Sequence, residues 1–353
     1  MTDQIATLPE ADPEQTALLF EIQRLSTEDG PGIRTTVFFK GCSLNCRWCH
    51  NPESISARPD LHWIAARCIG CGTCATVCGE DALRATEDGV TIDRVRCTVC
   101  GRCAAECPST ALELIGTRWR LNDLVGEVLK DRAYFANGGG VTAGGGEPGL
   151  QAPFLAAFLK ALKKEGIHTA VDSCGGYPKP MLDAFLPFTD LVLYDLKGID
   201  SDRHRTWTGR TNEPILENLL TIRDRMAGGD PPHTLWVRTP VIPEATADPA
   251  VIAEIGRWLA DHLDGVVARW ELCAFNNLCR DKYRRLDRDW PYMEQPLLTR
   301  DVMERLSETA RRSGVDPAIV HWSGSTRLPE MNIAEDNGRD RRGIVDTTEG
   351  IPS

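Results

Sequence analysis

Residues 35–54 read TTVFFKGCSLNCRWCHNPES. Thr35 to Phe39 is β-branched and aromatic, the composition of a buried strand. The chain then turns at Gly41 directly into Cys42-x3-Cys46-x2-Cys49. Three thiolates on one tight loop suit three irons of a four-iron, four-sulfur cube. The fourth iron is then left without a protein ligand and open to a substrate. Zinc is the alternative, but structural zinc takes four ligands, usually as two separated pairs. His50 is an awkward fourth ligand because it adjoins Cys49. A strand that ends in such a loop sets a reactive centre at a strand's carboxyl end, where α/β folds carry their sites.

Working outward, the chain of 353 residues holds 14 cysteines, and eleven of them fall between Cys42 and Cys107. The rest of this window is Cys68-x2-Cys71-x2-Cys74-x3-Cys78, repeated as Cys97-x2-Cys100-x2-Cys103-x3-Cys107-Pro108. This is the bacterial ferredoxin spacing, in which the fourth cysteine of each run serves the other cluster. It assigns Cys68, Cys71, Cys74 and Cys107 to one cube, and Cys97, Cys100, Cys103 and Cys78 to the other. A pair of zinc knuckles is the alternative, disfavoured by eight cysteines of eight at ferredoxin spacing. Gly79 stands where that pattern has proline, which shapes the loop and is not a ligand. Cys174, Cys273 and Cys279 have no cluster spacing, and Cys273, in an apolar strand, reads as a packed, inert thiol. Histidines 62, 204, 233, 262 and 321 are scattered and read as structural.

Beyond about residue 112 the pattern alternates. Helices are expected over Leu121–Ala136, with Asn122 as cap, and over Pro153–Glu165, Pro180–Phe185, Pro214–Met226, Pro249–Leu263 and Thr299–Ser313. Strands are expected at Gly139–Ala143, His168–Asp172, Leu191–Asp195, Thr234–Val241, Trp270–Phe275 and Ile319–Trp322. This rhythm implies right-handed βαβ units on a parallel sheet, about six of them rather than the eight of a closed barrel. The expected fold is α/β, a partial (β/α)6 barrel with an inserted two-cluster ferredoxin-like module. The expected division is a flexible leader over 1–15, the barrel over 16–57 and 112–325, the module over 58–111, and a polar tail over 326–353.

Composition is that of a soluble globular protein, with 42% hydrophobic and 26% charged residues. The net charge of −11 argues against a nucleic-acid partner, whose footprint is basic. No run of about 18 apolar residues suggests a membrane span. The polar, acidic start does not read as a secretory signal. Clustered thiols fit a reducing cytoplasmic setting.

Asp29-Gly-Pro-Gly-Ile-Arg34 together with GCSLNCRWCHNPES resembles the radical S-adenosylmethionine enzymes. More narrowly it resembles the glycyl-radical-enzyme activating enzymes, of which pyruvate formate-lyase activating enzyme is the archetype. The resemblance covers most of residues 18–325. It implies that a cube on Cys42, Cys46 and Cys49 binds S-adenosylmethionine at its open iron, beside Trp48 and His50. Gly145, Gly146 and Glu147 match the family's GGE motif for the cosubstrate's amino group, and Asp195, Leu196 and Lys197 match its DLK contact. Asp172, Ser173 and Asp195 match a monovalent-cation site of the archetype, with serine replacing threonine. The archetype's histidine after the strand resembling residues 236–243 corresponds here to Ala253. Asp29 is implied to face the partner's glycine loop, against the alternative of an ordinary Asp-Gly turn.

The implied cofactors are three [4Fe-4S] clusters, S-adenosylmethionine and a monovalent cation. The implied partners of an expected monomer are a glycyl radical enzyme and a flavodoxin or ferredoxin donor. Arg47, Arg67, Arg94, Arg96 and Arg102 either dock that donor or merely solvate the module. The rivals are a radical enzyme acting on a small molecule or peptide, and a plain electron carrier. The carrier needs only Cys68 to Cys107 and leaves the strand-end motifs idle.

Overall fold

The computed structural model describes residues 15–328; the expected leader and polar tail lie almost wholly outside this range. The strands are β1 (Thr16–Ser26), β2 (Arg34–Phe39), β3 (Asp60–Trp63), β4 (Leu83–Thr86), β5 (Gly89–Ile92), β6 (Leu112–Ile115), β7 (Thr117–Arg120), β8 (Gly140–Gly145), β9 (His168–Ser173), β10 (Leu191–Asp195), β11 (Thr234–Val241), β12 (Val267–Ala274) and β13 (Val320–Ser323). Nine of them form one sheet in the order β13-β12-β11-β10-β9-β8-β2-β1-β7. From β2 to β13 every neighbouring pair is parallel, while β1 lies antiparallel to both β2 and β7. β11 alternates half-buried and buried residues, whereas the central strand β10 is buried and continuously apolar over Leu191-Val-Leu-Tyr194. That is what a sheet covered on both faces requires.

The helices are α1 (Thr73–Thr76), α2 (Arg102–Ala105), α3 (Leu121–Leu129), α4 (Ala152–Lys164), α5 (Lys179–Phe185), α6 (Ser201–Thr208), α7 (Glu213–Ala227), α8 (Pro249–Leu263), α9 (Arg280–Arg285) and α10 (Arg300–Arg311). Local chemistry starts several of them. Asp248 accepts from the Ala250 amide ahead of Pro249, and Thr299 accepts from the Val302 amide. The apolar stripe of α4, Phe154, Leu155, Phe158, Leu159 and Leu162, is at most 2% exposed. Each such side chain contributes about 1.5–3 kcal/mol of burial.

Two expectations need correction, and one element was not expected. The helix read as Leu121–Ala136 stops at Leu129 and is followed by a single 3-10 turn at Arg132–Tyr134. Asn122 is not its cap, because the extended residue before the first turn is Arg120. The antiparallel edge formed by β1 and β7 was not foreseen. The register of β1 against β2 slips twice, between Leu19 and Glu21 and between Gln23 and Ser26, so its apolar residues do not alternate cleanly.

The cysteine-rich insertion hangs on a two-stranded ribbon, β3 with β6, and carries a β4–β5 hairpin. Its return strand is β6, Leu112–Ile115. The two cysteine runs repeat in backbone as well as in spacing. Gly72 and Gly101 have φ of +71° and +78° at the starts of α1 and α2, a conformation that favours glycine. Cys74 and Cys103 are both buried there with Leu61, Leu83, Val90 and Leu112. Among the described residues, no helix is long and apolar enough to cross a membrane.

Candidate active site

At the carboxyl ends of the parallel strands lies a cavity of about 680 Å³. Cys42, Cys46 and Cys49 line one side of it, Gly145, Gly146, Asp172 and Asp195 another, and Arg238, Glu271 and Cys273 a third. The cysteine loop is a continuation of β2 and is pinned largely through its backbone. Asn45 donates to the Thr208 carbonyl at 2.8 Å and Arg47 to that of Trp207 at 3.0 Å. The Tyr283 hydroxyl donates to the Cys49 carbonyl at 2.9 Å, and Trp290 Nε1 to that of Arg47 at 3.1 Å. Leu44 and Trp48, 3% and 4% exposed, anchor it from beneath. The loop is therefore rigid before anything binds, and preorganisation of this kind lowers the cost of holding a ligand.

Glycine is obligatory where β8 passes this loop. Gly145 has φ +112°, and a Cβ there falls 2.6 Å from the Phe39 nitrogen. A Cβ on Gly146 falls 2.3 Å from the Gly41 carbonyl oxygen. The two backbones are thus in direct contact, and any side chain there displaces the cysteine loop.

The charges are paired. Lys197 Nζ lies 2.8 Å from Asp195 Oδ2, and Arg238 Nη1 3.2 Å from Asp172 Oδ2. Burial works against the Lys197 charge, but Asp195 and the nearby thiols hold its pKa above the ordinary lysine value. Burial likewise opposes the charge of Asp195, yet Lys197 and Arg238 hold it below the usual carboxylate range. Burial pushes Asp172 up to about 7 against the pull of Arg238. Burial also pushes Cys46 and Cys49 up to about 12. As free thiols they are neutral, and a bound metal centre deprotonates them.

Several expected residues sit differently from the resemblance. Glu147 is fully buried and lies behind the cavity wall. It accepts from the Gly149 amide at 2.9 Å, the Cys174 amide at 2.8 Å and the Ser173 hydroxyl at 3.1 Å. Leu196 is also behind the wall, with its amide on the Arg238 carbonyl at 2.8 Å. Trp48, Cys49 and His50 do line the cavity, and His50 Nε2 lies 3.0 Å from the Asn276 carbonyl. The Asp29 carboxylate accepts from Ser26 and Thr36 hydroxyls, both at 2.6 Å; its neighbour Glu28 reaches the cavity. At the matched cation residues, the Ser173 hydroxyl is committed to Glu147 and Asp172 carries a guanidinium.

Sequence reasoning missed Arg238 and Glu271, and Cys273, read as a packed thiol, also lines the cavity, with burial holding its pKa up to about 11. Alternation along β11 and β12 was the available signal, since strand-end residues of one parity face the site.

In the insertion, Cys68, Cys71, Cys74 and Cys107 ring one hollow, together with Trp63 and Gly89. Cys78, Cys97, Cys100 and Cys103 ring a second, together with Leu61. The fourth cysteine of each run thus joins the other run. All fourteen thiols are free of disulfides. Among the described residues no three His, Cys, Asp or Glu side chains converge on a point fit for one metal ion. Arg47, Arg67, Arg94, Arg96 and Arg102 are all exposed, and some of them also have partners. Arg67 pairs with Glu113, Arg94 donates to the Leu61 and Arg285 carbonyls, and Arg96 lies 3.7 Å from Asp81.

Comparison with known proteins bears on both halves. The chain matches the radical SAM superfamily over residues 94–253 and a 4Fe-4S dicluster domain over residues 67–111. It is 39% identical over 305 residues to the isethionate sulfite-lyase activating enzyme of Nitratidesulfovibrio vulgaris, covering 84% of this chain and 95% of that one. It is 36% identical to the trans-4-hydroxy-L-proline dehydratase activating enzyme of Clostridioides difficile, covering 83% and 95%. The benzylsuccinate synthase activating enzyme of Thauera aromatica is 38% identical, covering 78% and 83%.

Proposed function

Because the chain belongs to the glycyl-radical-enzyme activating enzymes of the radical SAM superfamily, we propose that the strand-end cavity is where S-adenosylmethionine binds and where the partner's glycine is admitted. The chain is a radical SAM enzyme that activates a glycyl radical enzyme. Cys42, Cys46 and Cys49 would hold a four-iron cube, and that group would supply one electron for cleavage of S-adenosylmethionine to methionine and a 5′-deoxyadenosyl radical able to take a hydrogen atom from the partner glycine Cα. The protein's part is binding, orientation and exclusion of water.

One observation carries this assignment: three thiols, two obligatory glycines and two ion pairs, from the ends of five different strands, face a single cavity. Gly145 and Gly146 bring the β8 backbone against the cysteine loop. Lys197 offers a fixed positive charge for the cosubstrate carboxylate, and Arg238 a second one beside it. Asp172, raised by burial to about 7, is about half protonated at neutral pH, which reduces its repulsion of the cosubstrate carboxylate. A monovalent cation at Asp172, Ser173 and Asp195 has weaker support than Arg238 as the positive charge there. Asp29 serves the rim by holding the Ser26–Thr36 turn.

The rest of the reading follows from the same features. The parallel run supports a partial barrel of six βα units with a seventh strand, β13, at its edge. The two thiol-ringed hollows support two further cubes, three in all, that relay electrons from a flavodoxin or ferredoxin to a monomeric, cytoplasmic enzyme. The relatives act on partners as different as a sulfite lyase, a dehydratase and benzylsuccinate synthase at 36–39% identity. Similarity therefore sets the class of partner and not its substrate. The test is anaerobic incubation with dithionite and S-adenosylmethionine. Methionine and 5′-deoxyadenosine should form in equal amounts, and Lys197→Met should weaken cosubstrate binding by tenfold or more. Product formation that survives Cys42→Ala would remove the assignment.

A further inference from the structure

The ribbon of β3 and β6 orders the two cysteine sets of the insertion relative to the Cys42–Cys49 loop. Its rungs are Asp60–Ile115, Leu61–Leu114, His62–Glu113 and Trp63–Leu112. The Asp60 end is fixed to the main domain. Lys40, two residues before Cys42, places Nζ 2.8 Å from Asp60 Oδ2 and also donates to the Glu53 carbonyl. Gly116, just past the ribbon, packs so closely that a Cβ there falls 2.8 Å from the Lys40 side chain.

The second rung touches one set. Leu61 lines the hollow of Cys78, Cys97, Cys100 and Cys103, and a Cβ on Gly101 meets Leu114 at 3.1 Å. The fourth rung touches the other, since Trp63 and Leu112 line the hollow of Cys68, Cys71, Cys74 and Cys107. At about 3.3 Å per residue, two rungs put the second hollow about 7 Å farther along the ribbon from its anchored end.

An independent contact gives the same order. Arg94, three residues before Cys97, donates to the Arg285 carbonyl in α9 at 3.2 Å. Two residues earlier, Tyr283 donates to the Cys49 carbonyl at 2.9 Å. Protein atoms thus connect the Cys97 segment to the loop of the first cube through one short helix. Each set carries one exposed cysteine, Cys71 in one and Cys100 in the other, so the order of the sets rests on the ribbon and the Arg94 contact.

We propose that Cys78, Cys97, Cys100 and Cys103 form the inner set, next to the S-adenosylmethionine loop, and that Cys68, Cys71, Cys74 and Cys107 form the outer set. One electron from a low-potential, one-electron protein carrier enters at the outer set and reaches the Cys42–Cys49 loop through the inner set. The carrier is oxidised by one electron and the centre on that loop is reduced by one. This order rests on the reading of the insertion as a two-cube module.

The test uses Cys71→Ala and Cys100→Ala holoenzymes, each of which should hold about eight irons against about twelve in the parent. Both are reduced with dithionite, and electron paramagnetic resonance follows the centre on the Cys42 loop, recognised by its spectral change when S-adenosylmethionine is added. Magnetic broadening of that centre by a second reduced cluster should persist in Cys71→Ala and be mostly lost in Cys100→Ala. The reverse pattern, or equal broadening in both, overturns the order. If either alanine variant loses both cubes, the Cys71→Ser and Cys100→Ser pair, which retains an oxygen ligand, is read by the same criterion. A parent holding only about four irons would instead defeat the two-cube reading, and the order with it.

Discussion

Gly145→Ala is the sharpest perturbation of the site that leaves its chemistry nominally intact. The new methyl group falls 2.6 Å from the Phe39 nitrogen and 2.8 Å from the Phe39 carbonyl oxygen, both backbone atoms of β2. Neither neighbour is a flexible side chain, so the strand itself has to move. The φ of +112° adds backbone strain of about 1–3 kcal/mol, and the overpacking adds about 1–3 kcal/mol. Restricting the unfolded chain returns about 0.4–1 kcal/mol. The net loss centres near 3 kcal/mol, a large part of the about 5–15 kcal/mol that keeps a typical domain folded. Because β2 leads directly into Cys42, the displacement reaches the cluster loop, and a shift of about 1 Å costs on the order of 100-fold in rate. The assay is anaerobic urea unfolding of the apoprotein, paired with 5′-deoxyadenosine formation by the reconstituted enzyme. Gly126→Ala is the control. Gly126 lies within α3, and a Cβ there meets nothing within 4 Å, so the change should stabilise by about 0.5–1 kcal/mol. A Gly145→Ala protein with the parent's midpoint and turnover would refute the claim that these two backbones must touch.

Asp172 predicts a pH effect. Its folded-state value near 7 lies above the ordinary carboxylate value, so the folded protein binds more protons than the unfolded chain between about pH 4 and 7. Its contribution to stability therefore falls as pH rises through that window, and Asp172→Asn should flatten the fall in a urea-midpoint profile. Cys46→Ala should abolish S-adenosylmethionine cleavage, while Cys71→Ala should retain part of it with dithionite and lose it with a protein donor; chromatography of methionine and 5′-deoxyadenosine separates the cases. Anaerobic reconstitution should saturate near twelve irons per chain, three cubes of four, and full activity at four irons would contradict a relay role for the insertion.

How much of this was legible in the sequence depended on how local each signal is. Cysteine spacing is a local signal, so the Cys42, Cys46 and Cys49 group and both ferredoxin-like runs stand out as groups in the sequence itself. The exchange of Cys78 and Cys107 between sets was likewise readable, and it reappears as two hollows. The strands from Leu191 to Asp195 and Thr234 to Val241 were evident from continuous or alternating apolar residues. Arg238 and Glu271 were not, because only the lateral order of β11 and β12 brings them to one cavity. The edge strand β1 escaped notice because its two register slips break the period of two on which strand reading relies. Glu147 shows the opposite failure. Its motif is plain in sequence, yet three donors from Gly149, Ser173 and Cys174 turn its carboxyl away from the cavity, which no spacing reveals.

The central claim is that this chain places a radical on a glycine of a partner enzyme. The direct measurement is electron paramagnetic resonance of an anaerobic mixture of the holoenzyme, reductant, S-adenosylmethionine and a panel of glycyl radical enzymes. With its own partner a doublet should appear, together with methionine and 5′-deoxyadenosine, and should collapse when the partner's glycine is deuterated at Cα. If the two products accumulate with no radical on any partner, while a small molecule or an unrelated peptide is consumed, the account is contradicted.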